Sequence, residues 1–241
     1  VQAGLKSGYN PPLSIGDFMA ISDSLEQTAQ KIIEAAQRIH AKGWVPATSG
    51  NFSVRLDHDH CALTASGKDK GYLQISDVLR VDMNGKPALG QIGATSAETL
   101  LHTCLYRHDA QIGAVLHVHS LFSVLVPEAV VPQGDNREVQ FLTLSGMELL
   151  KAFAGVNTHL CTLHIPVFEN TQDIASLAEE VQQCLSTHRL VQAYLIRGHG
   201  LYVWGKDLDA AMRHLEAMEY LLNYIWHMRV LSKVQPGELH R

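Results

Sequence analysis

Short β-prone segments in hairpin-like pairs alternate with amphipathic helical stripes along this 241-residue chain, an order that calls for a sheet covered by helices on its faces. Residues 25–41 place Leu25, Ala29, Ile32, Ala36 and Ile39 at helical spacing and stop at Gly43. Residues 52–56, 61–64 and 78–81 read as short strands separated by turn residues, Asn84-Gly85 among them. A helix is expected from Ser96 to 107, feeding an apolar strand that starts at Ile112, and a short one from Ser145 to 153. A strand over 160–168 precedes a helix over 171–187 with Ile174, Leu177, Val181 and Leu185 on one face. Residues 191–196 and 201–204 form a late strand pair. The last element is a helix over 207–231, whose seam of Leu208, Ala211, Leu215, Met218, Leu222 and Ile225 packs on the core. The expected architecture is α/β, a single three-layer α/β/α domain over residues 21–241. Residues 1–20 are set apart as an N-terminal arm because their beginning, with Gly8-Tyr-Asn-Pro-Pro12, has no periodicity.

Composition narrows the function classes. A net charge of −5 and the lack of any lysine/arginine block leave no electrostatic footprint for nucleic acid. No apolar stretch is long enough to span a membrane, and the start lacks a basic-then-apolar leader pattern. Cys61, Cys104, Cys161 and Cys184 are scattered without Cys-x-x-Cys spacing and read as reduced thiols, which points to the cytoplasm.

The chemistry concentrates at the end of Ile112-Gly-Ala-Val-Leu-His-Val-His119. On a strand, residues i and i+2 share a face, so His117 and His119 can reach one metal ion. A His-Gly element at His199-Gly200 offers a third imidazole, and Glu98 and Glu148 lie in segments placed to serve the same pocket. Three neutral nitrogens leave a tetrahedral ion one open position, as catalytic sites do.

Two loops carry anion-binding chemistry. Ala47-Thr-Ser-Gly-Asn51 places Ser49, Gly50 and Asn51 in a tight turn before a strand; Thr64-Ala-Ser-Gly-Lys68 repeats the scheme with Ser66, Gly67 and a cation. Glycine admits close backbone approach, and successive amides can form an anion nest. Ser96 adds a hydroxyl at a helix start. Lys151 lies one helical turn from Glu148 and would project beside it. Neither loop is a dinucleotide or Walker fingerprint; with the metal motif they suggest a small phosphorylated substrate.

Taken together, Thr48-Ser-Gly-Asn-Phe-Ser53, Thr64-Ala-Ser-Gly67, Ser96-Ala-Glu98, His117-Val-His119 and Arg197-Gly-His-Gly200 resemble the class II aldolase/adducin superfamily, from about Leu25 to the last helix. Ser96-Ala-Glu-Thr-Leu-Leu-His102, Gly146-Met-Glu-Leu-Leu-Lys-Ala-Phe-Ala-Gly155, and Pro166-Val-Phe-Glu-Asn-Thr-Gln-Asp173 with His199-Gly-Leu-Tyr-Val-Trp-Gly205 are similar to its methylthioribulose-1-phosphate dehydratase branch. The resemblance implies a mainly antiparallel central sheet, His117, His119 and His199 as ligands of zinc or a similar divalent ion, the Ser/Thr/Gly loops as phosphate site, and a homotetramer with active sites near subunit interfaces. It also implies metal-dependent dehydration of 5-methylthioribulose 1-phosphate to 2,3-diketo-5-methylthiopentyl 1-phosphate, in methionine salvage. In the aldolase branch the position of Glu98 is the acid/base; in animal dehydratases it is a cysteine, and the position of Glu148 transfers the proton. This chain carries both carboxylates, and the branch match puts Glu148 first and Glu98 second. The alternatives are a ketose-phosphate aldolase or 4-epimerase acting on fuculose or ribulose phosphates, which reaches the same enediolate by carbon–carbon cleavage, and a non-catalytic adducin-like binding protein. The last would be expected to have lost the ligand histidines, all three of which are present here.

Overall fold

The computed structural model describes residues 15–91, 93–132, 139–188 and 192–233. Residues 1–14 of the expected arm lie outside them, and 15–20 belong to the first helix, α1 (Ile15–Ala41), which starts ahead of its apolar stripe.

Eight strands form one sheet: β1 (Asn51–Arg55), β2 (His60–Thr64), β3 (Val78–Asp82), β4 (Ala114–Val118), β5 (Gln140–Ser145), β6 (Thr162–Phe168), β7 (Ala193–Ile196) and β8 (Gly200–Gly205). Their spatial order is β3-β2-β1-β4-β8-β7-β6-β5. Every pairing is antiparallel except β6 with β7, so the sheet is mixed, with a single parallel pair. The remaining helices are α2 (Thr99–His108), α3 (Leu121–Val130), α4 (Ile174–Thr187) and α5 (Leu208–Leu231).

The sheet is buried on both faces. On one, Leu63, Leu79, Val115 and Tyr194 pack with Leu101 and Leu105 of α2 and Leu177 and Val181 of α4. On the other, Phe52, Ala62, Leu116, Leu195 and Val203 meet Ile32 and Ile39 of α1, Val126 of α3, and Leu215, Met218 and Leu222 of α5. At roughly 1.5–3 kcal/mol per fully buried large apolar side chain, these two layers supply the main driving force for folding. The three-layer α/β/α arrangement is therefore the observed one. No helix among the described residues is long and apolar enough to cross a membrane.

Caps set several boundaries. Asp207 accepts a hydrogen bond from the Ala210 amide at 2.8 Å and starts α5; Asp173 accepts one from Ser176 at 3.0 Å and starts α4, three residues after the expected point. Helix α3 and strand β5 carried no expectation. Helix α3 is nearly all apolar and holds Pro127, so it shows no 3.6-residue period, yet the Ser120 side chain caps it by accepting from Ser123 N. Strand β5 does alternate, with Leu142 and Leu144 buried and Thr143 and Ser145 exposed, a period-two signal present in the sequence. The helix expected over 145–153 shrinks to a 3-10 turn, Glu148–Ala152.

Candidate metal centre and active site

One end of the sheet gathers the chemistry-bearing residues. The start of β1, the ends of β2, β4 and β7, and the start of β8 all meet there, as the antiparallel registers require. Along one row, Asn51 of β1 stands opposite His117 of β4, His117 opposite Tyr202 of β8, and Tyr202 opposite Tyr194 of β7. Register partners share a face, so these four side chains project together toward α2 and α4. The His117 ring stacks on Tyr202 with centroids 3.9 Å apart, and Tyr202 stacks on Tyr194 at 4.7 Å. His117 is wholly buried in this stack.

His119 follows directly after β4, its amide bonded to the Trp44 carbonyl at 3.0 Å. His199 sits in the tight turn from β7 to β8, where Gly198 adopts φ +64°. Gly200 is required for close approach: a Cβ there would fall 2.2 Å from the Val118 carbonyl oxygen. The turn thereby closes on β4 and brings His199 to the other two histidines.

The three Nε2 atoms converge. His119 to His117 is 2.8 Å, His119 to His199 is 3.1 Å, and His117 to His199 is 3.3 Å. Glu98, the residue before α2, completes the group, with Oε1 2.9 Å from His199 Nε2 and Oε2 3.7 Å from His117 Nε2. One ligand atom from each of the four lies within 4.8 Å of the others. His117 Nδ1 points at the Leu201 carbonyl oxygen at 3.1 Å and donates to it, leaving its Nε2 with a bare lone pair. Each ring nitrogen carries at most one hydrogen, so no choice of tautomers supplies all three N···N approaches. A cation accepts all three lone pairs. Nitrogens bound tetrahedrally at ~2.0–2.1 Å stand roughly 3.3 Å apart, close to the observed spacings. The donor set fits a divalent metal of the imidazole-loving kind.

Electrostatics agree. Burial drives His117 well below its usual range and His119 to about 4, so both present neutral nitrogens. Burial would raise the Glu98 carboxyl, but hydrogen bonds from His199 and Asn51 hold it well below the usual carboxylate range.

The other expected site residues divide. Asn51 and Ser96 are at the site but turned to Glu98: Asn51 Nδ2 donates to Glu98 Oε2 at 2.5 Å and to Ser96 Oγ at 3.2 Å, and Ser96 Oγ accepts from the Glu98 amide. Their polar atoms are engaged within the protein rather than offered to an anion. Ser49, Gly50, Ser66 and Gly67 lie in the two loops at this same end of the sheet. Gly50 has φ +74°, and a Cβ on it would come 2.7 Å from the His117 carbonyl oxygen, so its first duty is packing against β4. Ala47, at φ +57°, holds a left-handed conformation unusual for a side-chain-bearing residue. Ser49 Oγ is buried without a hydrogen-bond partner among the described residues. The Lys68 ammonium is paired with Asp77 at 2.8 Å. Lys70, which the sequence did not single out, is instead the buried cation of these loops. Its Nζ donates to the Thr48 carbonyl at 3.0 Å and the Lys68 carbonyl at 2.6 Å, tying the loops together, and burial lowers it to about 8.

Glu148 and Lys151 lie apart from the four-residue cluster. Both side chains are largely exposed and pair with each other, and the Glu148 carboxylate is 3.5 Å from His159. The ion pair with Lys151 lowers the Glu148 carboxyl. The expectation that Glu148 is the foremost carboxylate of the pocket is therefore not met within one chain, because the turn that holds it faces solvent while α2 starts at the metal cluster.

A model of the class II aldolase and adducin N-terminal domain matches residues 30–226. The chain is 50% identical to methylthioribulose-1-phosphate dehydratase of Alcanivorax borkumensis over 80% of this chain and 88% of that protein. It is 45% identical to the protein of that name from Sorangium cellulosum over 83% of this chain and 92% of the relative. Among solved structures, L-fuculose-1-phosphate aldolase from Thermus thermophilus superposes with a TM-score of 0.66 at 21% identity, covering 87% of this chain and all of that one. The fold, the three-histidine end of the sheet and this match over most of the length lead to one assignment: the chain belongs to the class II aldolase and adducin family.

Proposed function

We propose that this protein is a hydro-lyase that dehydrates 5-methylthioribulose 1-phosphate to 2,3-diketo-5-methylthiopentyl 1-phosphate, a step of methionine salvage. The observation that carries this reading is the His117, His119, His199 and Glu98 cluster in a chain 45–50% identical over most of its length to proteins named for that dehydration. His117, His119 and His199 hold a divalent ion, for which zinc is our assignment, and Glu98 lies beside it. When bound, the ion supplies Lewis acidity toward the carbonyl end of the ketose.

Glu98 is the enclosed carboxylate and takes the C3 proton. The electrons of the C3–H bond form the C3–C4 double bond as the C4–O bond breaks, and Glu98 returns its proton to the departing hydroxyl, which leaves as water. The enol then tautomerises to the 2,3-diketone. This order places Glu98 ahead of Glu148, reversing what the branch match implied. An exposed Glu148 serves proton transfer only if another copy of the chain receives it; a homotetramer, our assignment from family likeness, would allow that. The phosphate end is held by Ser49, Ser66 and Gly67 with the Lys70 charge behind them, fixing C3 against Glu98. A cytoplasmic location accompanies this reading.

The deciding experiment incubates the metal-loaded protein separately with 5-methylthioribulose 1-phosphate and with fuculose and ribulose phosphates. Diketone from the first and no aldehyde from the others is the expected result. Aldehyde release from fuculose phosphate without diketone formation would replace the dehydratase with an aldolase.

A further inference from the structure

Beneath Glu98 runs an unbroken line of buried polar side chains that the reaction as proposed does not use. Tyr106 Oη lies 2.8 Å from Ser53 Oγ, Ser53 Oγ lies 2.7 Å from His102 Nδ1, and His102 Nε2 lies 2.5 Å from Asn51 Oδ1. Asn51 Nδ2 then meets Glu98 Oε2. Ser53 and His102 are wholly buried and Tyr106 nearly so. Ser53 and Asn51 alternate on β1 and share its face; His102 and Tyr106, four apart on α2, share the helix side that covers it.

The direction of each hydrogen bond follows from its neighbour. The Asn51 amide turns its NH₂ toward Glu98 Oε2 and its oxygen toward His102 Nε2. That oxygen accepts, so His102 must carry its hydrogen on Nε2. Nδ1 is then bare and takes the Ser53 hydroxyl hydrogen, and Ser53 Oγ in turn accepts from Tyr106. Burial holds His102 neutral, at about 4, which agrees with a single ring hydrogen. The line has one consistent polarity, running from the core to the carboxylate. The T-shaped contact of the His102 ring with Tyr202, which also stacks on His117, fixes the ring plane between the two.

The structure assigns His102 as a positioning residue: by donating from Nε2 to Asn51, it fixes the amide that aims Glu98 at the reacting carbon. This inference rests on the dehydratase reading for its substrate but not for its geometry. Were His102 merely a satisfied core histidine, its two ring nitrogens would matter equally, to packing alone. A positioning role makes them unequal, since only Nε2 faces the site.

The test separates them in the metal-loaded, full-length protein. His102→Gln places an amide N–H near the Nε2 position and keeps donation to Asn51; His102→Asn keeps a polar group at the Nδ1 position for Ser53 and loses Asn51. With 5-methylthioribulose 1-phosphate, H102N should lose roughly 10–100-fold in kcat, the usual cost of removing an outer partner of a metal-site group, while KM and metal content hold. H102Q should recover most of that loss. Equal kcat in the two variants, whether both high or both low, would overturn the assignment. A second measurement needs no substitution to fold: ¹⁵N resonances of His102 should show hydrogen on Nε2 and a bare Nδ1, and an Nδ1–H or doubly protonated ring would overturn it as well. If the wild-type protein forms no diketone at all, the dehydratase reading fails, and the nitrogen resonances still decide the role of His102.

Discussion

His199 Nε2 stands 3.1 Å from His119 Nε2 although one belongs to the β7–β8 turn and the other follows β4. Gly200 makes the approach, because only a residue without a Cβ lets β8 begin against the Val118 carbonyl. Metal chemistry, backbone packing and sheet order thus converge at a single turn.

The first consequence concerns the ion itself. Binding to the folded state alone stabilises it by RT ln(1 + [L]/Kd), ~4 kcal/mol at a thousandfold excess over Kd. Zinc should raise the thermal midpoint and a chelator should lower it, whereas His119→Ala should show neither response and carry no zinc by elemental analysis. Full zinc content in that variant would remove His119 from the ligand set.

Glu98 and Glu148 can be told apart by isosteric amides. Glu98→Gln should lower turnover by roughly the 10²–10⁴-fold attributed to acid–base groups. Glu148→Gln, altering an exposed side chain, should retain most of it. The opposite ranking, read from diketone formation, would transfer the proton step to Glu148 and require a second copy of the chain at the site.

Lys70→Met keeps the buried stem and removes the ammonium. A hydrogen bond to a charged group is worth ~1.5–3 kcal/mol, so KM for the phosphorylated substrate should rise roughly 10–100-fold. Lys68→Met removes a half-exposed charge already paired with Asp77 and should change KM little. Equal effects from both substitutions would mean the loops respond to net charge and not to the buried cation.

Glu219 of α5 predicts a stability signature. Burial raises its carboxyl to about 7, against a smaller lowering by the Ser120 side chain. The folded form binds the proton more tightly than an unfolded glutamate with the usual value of 4.5. Its contribution is therefore fully present below that value and disappears as pH rises through 7, a change of about 3 kcal/mol at most. Glu219→Gln should accordingly raise the urea midpoint relative to wild type at pH 8, with the gain shrinking toward pH 4.5. A difference independent of pH would show that Glu219 is already ionised in the fold.

Local pattern alone determined much of this protein. The stripes of α1, α4 and α5 and the punctuated strands around Asn84-Gly85 dictated a helix-covered sheet, because amphipathic periods report which side faces the core. The His-x-His spacing put His117 and His119 within reach of one ion, although His119 follows the end of β4, and His199 stood out by its glycine neighbours. Periodicity carries no record of what meets across the fold. Register set Asn51 opposite His117 and turned its amide toward Glu98; burial under β1 made His102 a donor rather than a core histidine. Lys70 carried no expectation, because only the folded loops bring the Thr48 and Lys68 carbonyls around its ammonium. Glu98 and Glu148 were alike as local pattern, each an acid at a helix start, and the family resemblance ranked Glu148 first. Only the packing of α2 against the sheet end, with the Glu148 turn left in solvent, distinguished them, because proximity to a charge depends on tertiary distance and not on chain position.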